Sequence, residues 1–66
     1  MFADQVKYVR AKLSISQSKL ASLLGVSYAT INRWENTRHV PSQLAQTSFY
    51  EFCESNFIDV DKLKQL

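Results

Sequence analysis

Apolar residues recur at helical spacing in the first stretch of the chain. They follow one another at intervals of four, three and four residues, and they are Phe2, Val6, Val9 and Leu13. This period places their side chains on one face of an α-helix, and most of the residues between them are polar or charged. The pattern predicts a first helix over residues 2–13.

Two serines mark the starts of the next two helices. Ser16 and Ser27 can each accept a hydrogen bond from a free backbone N–H of the following turn. An apolar residue precedes each serine and another follows it four positions later, an arrangement that fixes the entry angle of the chain. These flanking pairs are Ile15 with Leu20 and Val26 with Ile31. The pattern predicts helices over residues 17–24 and 28–36, with Gly25, the only glycine, in the turn between them.

The second half of the chain predicts one or two more helices. After a polar loop that ends at Pro41, a fourth helix is expected from Ser42 onward, because residues recur there at spacings of three and four. Its inward-facing residues are expected to be Ala45, Phe49, Phe52, Cys53 and Asn56. Residues 59–66 can add one or two turns with Val60, Leu63 and Leu66 packed inward. The expected fold is all-α, a compact bundle of four to five short helices.

Length and composition limit what this bundle can be. A chain of 66 residues has room for one small domain. The single cysteine, Cys53, excludes an internal disulfide, and together with the single histidine, His39, it cannot supply a four-ligand zinc site. No segment approaches the ~18 apolar residues of a membrane span. Asp4 closely follows the first methionine, which is not typical of a signal peptide. We therefore expect residues 1–66 to form one cytoplasmic domain without a metal, a cofactor or a membrane partner.

Charge is distributed unevenly along the chain. The net charge is +2, but residues 1–40 carry six Lys or Arg against two Asp or Glu, whereas residues 41–66 carry two against four. A polyanion would therefore meet the first part of the chain. A solvated surface with a chance asymmetry explains the same numbers.

Residues 17–36 meet the steric requirements of a helix-turn-helix. Two short helices that cross steeply need a small residue where their backbones approach and a permissive residue in the turn. Ala21 and Gly25 occupy these two places, and an ordinary helical hairpin would not require both. The other constrained positions are apolar, as a shared buried face requires: Leu20, Leu24, Val26, Ile31 and Trp34.

With these features the chain resembles the lambda-repressor-like, Cro-type helix-turn-helix DNA-binding family, also called the XRE family. The resemblance rests on residues 9–10, 16–27 (SQSKLASLLGVS), 30–36 (TINRWEN) and 41–42. The sequence departs from the usual family pattern at Lys19, where Glu is common, and after Ser42, where aromatic residues replace a leucine pattern. The resemblance implies a prokaryotic or phage-type, nucleoid-associated protein that binds double-stranded DNA. We expect a homodimer at least on DNA, because a domain this small usually needs two copies for a useful affinity when each half-site supplies only part of the contact area.

The third predicted helix has two distinct faces. When Ile31 points inward, Trp34 is a core residue and the far side is polar and free of carboxylates. This far side consists of Ala29, Asn32, Arg33 and Asn36. Such a face suits the major groove of DNA, whose floor presents base acceptors and whose walls are phosphates.

Four residues of this helix are candidates for contacts with bases. Arg33 can bind guanine through two hydrogen bonds, and Ala29 or the Tyr28 ring can contact a thymine methyl group. The resemblance implies base contacts from these same three positions. Asn32 can bind adenine, or it can simply solvate the flank of the helix.

Phosphate contacts are expected from groups beside the recognition helix. Gln17 combines an amide donor with the positive end of the second helix, and Lys19 adds a charge nearby. The other candidates lie at the start of the third helix and after it: Ser27, Asn36, Thr37, Arg38 and His39. For Arg38 and His39 a solvated loop is the alternative.

Glu35 places a carboxylate near the buried side of a helix that is expected to face phosphates. A free negative charge there would repel DNA, so Glu35 needs a partner. Arg10, one residue after Val9, is the best candidate, and the resemblance implies this pairing. Two independent surface charges are the alternative.

Together these observations favour a sequence-specific DNA-binding regulator, most simply a transcriptional repressor that inserts its third helix into the major groove. Two alternatives retain the DNA chemistry: a targeting module of a larger restriction, modification or helicase protein, and an antitoxin-type regulator. A protein-interaction domain would explain the aromatic residues after Ser42 but not the carboxylate-free face. An enzyme is disfavoured because His39 and Cys53 come with no signal for a cleft or a third orienting group, and no small-molecule substrate is evident.

Overall fold

Five short helices with turns between them account for the 66 residues, all of which the computed structural model describes. The helices are α1 (Phe2–Leu13), α2 (Gln17–Leu24), α3 (Tyr28–Asn36), α4 (Gln43–Ser55) and α5 (Val60–Leu63). The first three begin and end at the predicted residues, and there are no strands. The all-α bundle predicted from the sequence is confirmed.

Side-chain caps fix where four of the helices begin. Each capping oxygen accepts a hydrogen bond from the backbone N–H three residues further on, which satisfies a donor that the helix itself cannot pair. Ser16 and Ser27 cap α2 and α3 in this way, with distances of 3.0 and 3.1 Å. Ser42 caps α4 and Asp59 caps α5, each at 3.2 Å.

The turn between α2 and α3 depends on the backbone of Gly25. Its φ of 72° and ψ of 31° are left-handed, and the N–H of Val26 then reaches back to the carbonyl of Ala21 at 3.0 Å. A Cβ atom at Gly25 would meet nothing within 4 Å. The backbone conformation, and not a lack of space, therefore favours glycine here.

The core draws on all five helices, and its centre is aromatic. The ring of Phe2 in α1 lies 5.5 Å from that of Trp34 in α3 and 5.2 Å from that of Phe49 in α4, both edge to face. The buried apolar residues are Phe2, Val6, Val9, Leu20, Ala21, Ile31, Trp34, Phe49, Cys53, Ile58 and Leu63. No helix is long and apolar enough to cross a membrane.

Two residues expected to face inward are exposed, so those predictions are wrong. Asn56 lies just beyond the end of α4, where its amide Nδ2 donates to the carbonyl of Phe52 at 2.9 Å. Leu66 is 47% exposed, because α5 ends at Leu63 and the helical period does not continue to it. Leu63 is buried and Val60 half-buried, as expected.

Candidate nucleic-acid interface

Helix α3 buries one side and presents the other to solvent. Ile31, Trp34 and Glu35 are its buried residues. The opposite side, called the outer face of α3 below, consists of four exposed residues: Ala29, Asn32, Arg33 and Asn36. Tyr28 is also exposed, in the first turn of the same helix. The structure thus brings the four candidate base-contacting residues onto one exposed surface without a carboxylate.

The two asparagines of the outer face bind each other. Nδ2 of Asn36 donates to the backbone carbonyl of Asn32 at 2.8 Å and to Oδ1 of the Asn32 side chain at 2.9 Å. Both residues are therefore engaged in a local amide pair, one helical turn apart.

Hydroxyl groups hold the two ends of α3. At the start, Oγ of Ser27 accepts from the N–H of Thr30 and lies 2.8 Å from its hydroxyl. At the end, Oγ1 of Thr37 donates to the carbonyl of Arg33 at 2.9 Å and accepts from the N–H of His39 at 3.3 Å. Ser27 and Thr37, both candidate phosphate contacts, thus already bind within the protein.

The candidate contacts with basic side chains have no such partners. The side chains of Arg33, Arg38, His39 and Lys19 are exposed and form no hydrogen bond or ion pair within the protein. Arg38 and His39 lie in the connection between α3 and α4, and Lys19 lies in the first turn of α2. Their side-chain ends are therefore free to meet a ligand.

An ion pair lies behind the outer face. Nε and Nη2 of Arg10 donate to the two carboxylate oxygens of Glu35 at 2.6 and 2.8 Å, a two-bonded geometry that strengthens and orients the pair. Nη1 of Arg10 also donates to the carbonyl of Ile15 at 3.2 Å, and Nε2 of Gln17 donates to Glu35 at 3.1 Å. The carboxylate thus joins α3 to α1 and to the start of α2.

Hydrogen bonding keeps this pair charged. The bond from Arg10 lowers the pKa of Glu35, which is the largest effect, and burial opposes it. The bond from Gln17 and the charges of Arg10 and Lys7 lower that pKa further. The pKa of Arg10 is raised, chiefly by its hydrogen bond to Glu35. The only carboxylate of α3 is therefore ionised but compensated.

Gln17 contributes to the same network. One hydrogen of its amide is used by Glu35, so the expected phosphate contact can use only the other hydrogen and the free backbone N–H groups at the start of α2. No sequence pattern indicated the bond between Gln17 and Glu35, which lie 18 positions apart. The spacing of four between Asn32 and Asn36 was a usable signal for the amide pair.

Comparison with known families decides what these residues belong to. A family model described as helix-turn-helix matches residues 6–44. The chain belongs to the lambda-repressor-like helix-turn-helix family. No curated protein and no solved structure matches it. The matched residues include α2, α3 and the ion pair, and the family is one of DNA-binding domains, so this helix-turn-helix chain is a DNA-binding domain.

Removing either member of the ion pair should destabilise the domain, but the two losses should differ in size. Arg10→Ala leaves the Glu35 carboxylate, only 5% exposed, without its cation, and we expect a loss of about 3 to 5 kcal/mol. Glu35→Ala should cost less, because the Arg10 side chain is 26% exposed and can rehydrate. Urea unfolding of both variants and the double variant measures the coupling.

In that cycle the double variant should lose less than the sum of the single losses. Lys12→Ala serves as the control, since Lys12 is an exposed cation of α1 that forms no bond to Glu35 and is not among the groups that lower its pKa, and it should change stability by less than about 0.5 kcal/mol. Additive losses for Arg10 and Glu35 would show that the two charges do not interact.

The lowered pKa of Glu35 predicts a stability that depends on pH. A carboxyl whose pKa is lower in the folded than in the unfolded chain contributes fully above its unfolded value, and the contribution is lost as pH falls through the folded value. For Glu35 the loss should begin as pH falls through the ordinary value of 4.5. Urea midpoints measured between neutral and strongly acidic pH should fall more for the natural chain than for Glu35→Gln. Equal falls would contradict the prediction, because the remaining carboxyls titrate in both proteins.

Proposed function

We propose that this domain is a sequence-specific transcriptional regulator, acting as a repressor, that inserts α3 into the major groove of double-stranded DNA. The observation that carries the proposal is the outer face of α3. It is exposed and free of carboxylates, while Glu35 on the same helix is buried against Arg10. Repression requires only that the domain occupy its site, and a helix with this distribution of charge can approach both base edges and phosphates.

Base reading is assigned to the outer face and to the first turn of α3. Arg33 reads a base, most favourably guanine, because its guanidinium is exposed and free to form two parallel hydrogen bonds. Tyr28 and Ala29 contact the methyl group of a thymine. Asn32 lies between these positions on the same surface and contributes a further polar contact.

Phosphate binding is assigned to groups on both sides of α3. The free charges of Lys19 and Arg38 support this role most strongly, with His39 beside Arg38 and the amide of Gln17 near Lys19. Ser27, Asn36 and Thr37 lie at the ends of α3 and already bond within the protein, so their part in phosphate binding is to hold the helix while the free groups make the contacts. Residues 1–66 act as one domain in this proposal, because the core joins α4 and α5 to the matched residues 6–44.

Two arginines should separate base reading from phosphate binding. Arg33→Ala should cost about 1 to 3 kcal/mol on the preferred site and relax preference at one base pair, whereas Arg38→Ala should weaken all sequences about equally and lower the salt slope by roughly one unit. Binding is measured on the preferred duplex, selected first from a random pool, and on single-substituted duplexes at several salt concentrations.

The matched control for these measurements is Lys64→Ala. Lys64 carries the same charge but lies at the end of α5, over the ring of Tyr50, and its loss should leave base preference and the salt slope unchanged. If Arg33→Ala weakened binding to every duplex equally, Arg33 would be a phosphate contact, and the other residues of α3 would have to read the bases.

The domain acts on DNA as a homodimer in this proposal, and one apolar patch suits the contact between copies. Phe57 is 98% exposed, with a left-handed φ of 61°. It borders a groove of about 310 Å³ whose apolar lining comes from Tyr8, Ile58, Leu63 and Leu66. A two-fold contact repeats one patch on both copies, so the ring of each chain can fill the groove of the other. Lys12, Lys62 and Asp59 also line the groove, so a two-fold contact can place the Asp59 of one copy opposite a lysine of the other.

Phe57→Asn should test this contact without disturbing the fold. The ring contributes almost nothing to the core, and asparagine tolerates a left-handed backbone. The variant should bind a single half-site like the natural chain but lose the additional affinity for a duplex with two half-sites, measured by gel shift and by sedimentation. Leu44→Ser is the control, since Leu44 is 82% exposed but lies outside the groove. Retained dimer binding by Phe57→Asn, or its loss in Leu44→Ser, would place the interface elsewhere.

A further inference from the structure

The amide pair on α3 fixes the orientation of both asparagines. A backbone carbonyl can only accept, so the atom of Asn36 that lies 2.8 Å from the carbonyl of Asn32 must be the nitrogen, Nδ2. The same nitrogen lies 2.9 Å from the Asn32 side chain, where only an acceptor, Oδ1, suits it. The orientation of one amide therefore determines the orientation of the other.

This arrangement leaves Asn32 with its donor outward. Oδ1 and Nδ2 occupy opposite corners of a planar amide, so when Oδ1 turns back toward Asn36, Nδ2 turns away from it. Nδ2 of Asn32 has no partner within the protein. By contrast, Nδ2 of Asn36 lies within hydrogen-bond distance of two acceptors of Asn32, and the unpaired oxygen of Asn36 is an acceptor that phosphate oxygens would repel.

We infer that Asn36 is a positioning residue for base recognition: its amide holds Asn32 so that this position reads an acceptor on the major-groove edge of a base pair. The acceptors available there are N7 and O6 of guanine, O4 of thymine and N7 of adenine. The two-bonded pair with adenine requires Oδ1 and Nδ2 of Asn32 to face the base together, and the bond to Asn36 disfavours this because it turns Oδ1 toward Asn36. The inference rests on the proposed insertion of α3 into the major groove. It replaces the expected adenine pairing of Asn32 and the expected phosphate contact of Asn36.

Site selection from a random duplex pool tests this inference. Selection with the natural chain should yield guanine or thymine opposite Asn32, because adenine adds an N6 amino donor beside its N7 acceptor and the exposed group of Asn32 is itself a donor. With Asn36→Ala the freed amide can rotate, so preference at that one position should shift toward adenine or flatten by about tenfold, while preference opposite Arg33 remains. Asn32→Ala should abolish preference at that position, and adding Asn36→Ala to it should change nothing further.

Asn56→Ala is the matched control. Asn56 is also an exposed asparagine whose amide donates to a carbonyl four residues earlier, but it lies at the end of α4, and its loss should leave the selected sequence unchanged. Circular dichroism of each variant verifies that the fold is intact.

Base analogues complete the test. Removing the N6 amino group of an adenine placed opposite Asn32 should not weaken binding by the natural chain, because Oδ1 of Asn32 is turned toward Asn36 and away from the base. Replacing a selected guanine there by its 7-deaza analogue should weaken binding if N7 is the acceptor. If thymine is selected instead, replacing it by 4-thiothymine should weaken binding, because O4 is then the acceptor.

The outcomes separate this inference from the proposed function. If Asn36→Ala weakened all duplexes equally and lowered the salt slope, Asn36 would be a phosphate contact, and the inference would be wrong while sequence-specific binding stood. Adenine selected by the natural chain, with binding that depends on its N6 amino group, would likewise overturn it. If the natural chain selected no sequence at all, the proposed function itself would fail, and the inference with it.

Discussion

A single buried carboxylate, that of Glu35, constrains the rest of the structure. Burying a charge is tolerable only when it is paired and hydrogen-bonded, and Glu35 obtains two bonds from Arg10 and one from Gln17. Meeting this requirement holds α1, the start of α2 and α3 in one arrangement. For a domain of 66 residues, whose total stability is expected near the low end of about 5 to 15 kcal/mol, the few kcal/mol lost with Arg10 would be a large share.

The same constraint explains how α3 can be buried on one side and carry an exposed, basic outer face on the other. Trp34 anchors the helix in the aromatic core beside Phe2 and Phe49, and Glu35 anchors it to Arg10 one residue further along. Two successive residues thus set the rotation of the helix about its axis. The outer face is then held on a rigid element, as accurate recognition of a base edge requires.

Local signals explain why so much of the fold was predictable. Serine caps, apolar neighbours on either side of them and a single glycine determine α2 and α3 residue by residue. The helical period located α1, but it failed at the end of the chain, because α5 has only four residues and leaves Leu66 without a turn to follow. The pair of Arg10 and Glu35 was expected from the need to compensate a charge. The bond from Gln17 to Glu35 depends on how three helices meet, which neither period nor spacing encodes.

The candidate interface divides its polar groups into two kinds, and the division has a physical consequence. Gln17, Asn32, Asn36 and the two hydroxyls at the ends of α3 bind within the protein, so their positions are set before any DNA arrives. Arg33, Arg38 and Lys19 are free and exposed. Free cations contribute affinity that weakens with salt, because each phosphate contact releases counterions. Groups already held in place lose little conformational freedom on binding and cannot adapt to a wrong base. Discrimination should therefore come from Asn32, which Asn36 holds in place, together with Arg33, the free cation on the same outer face.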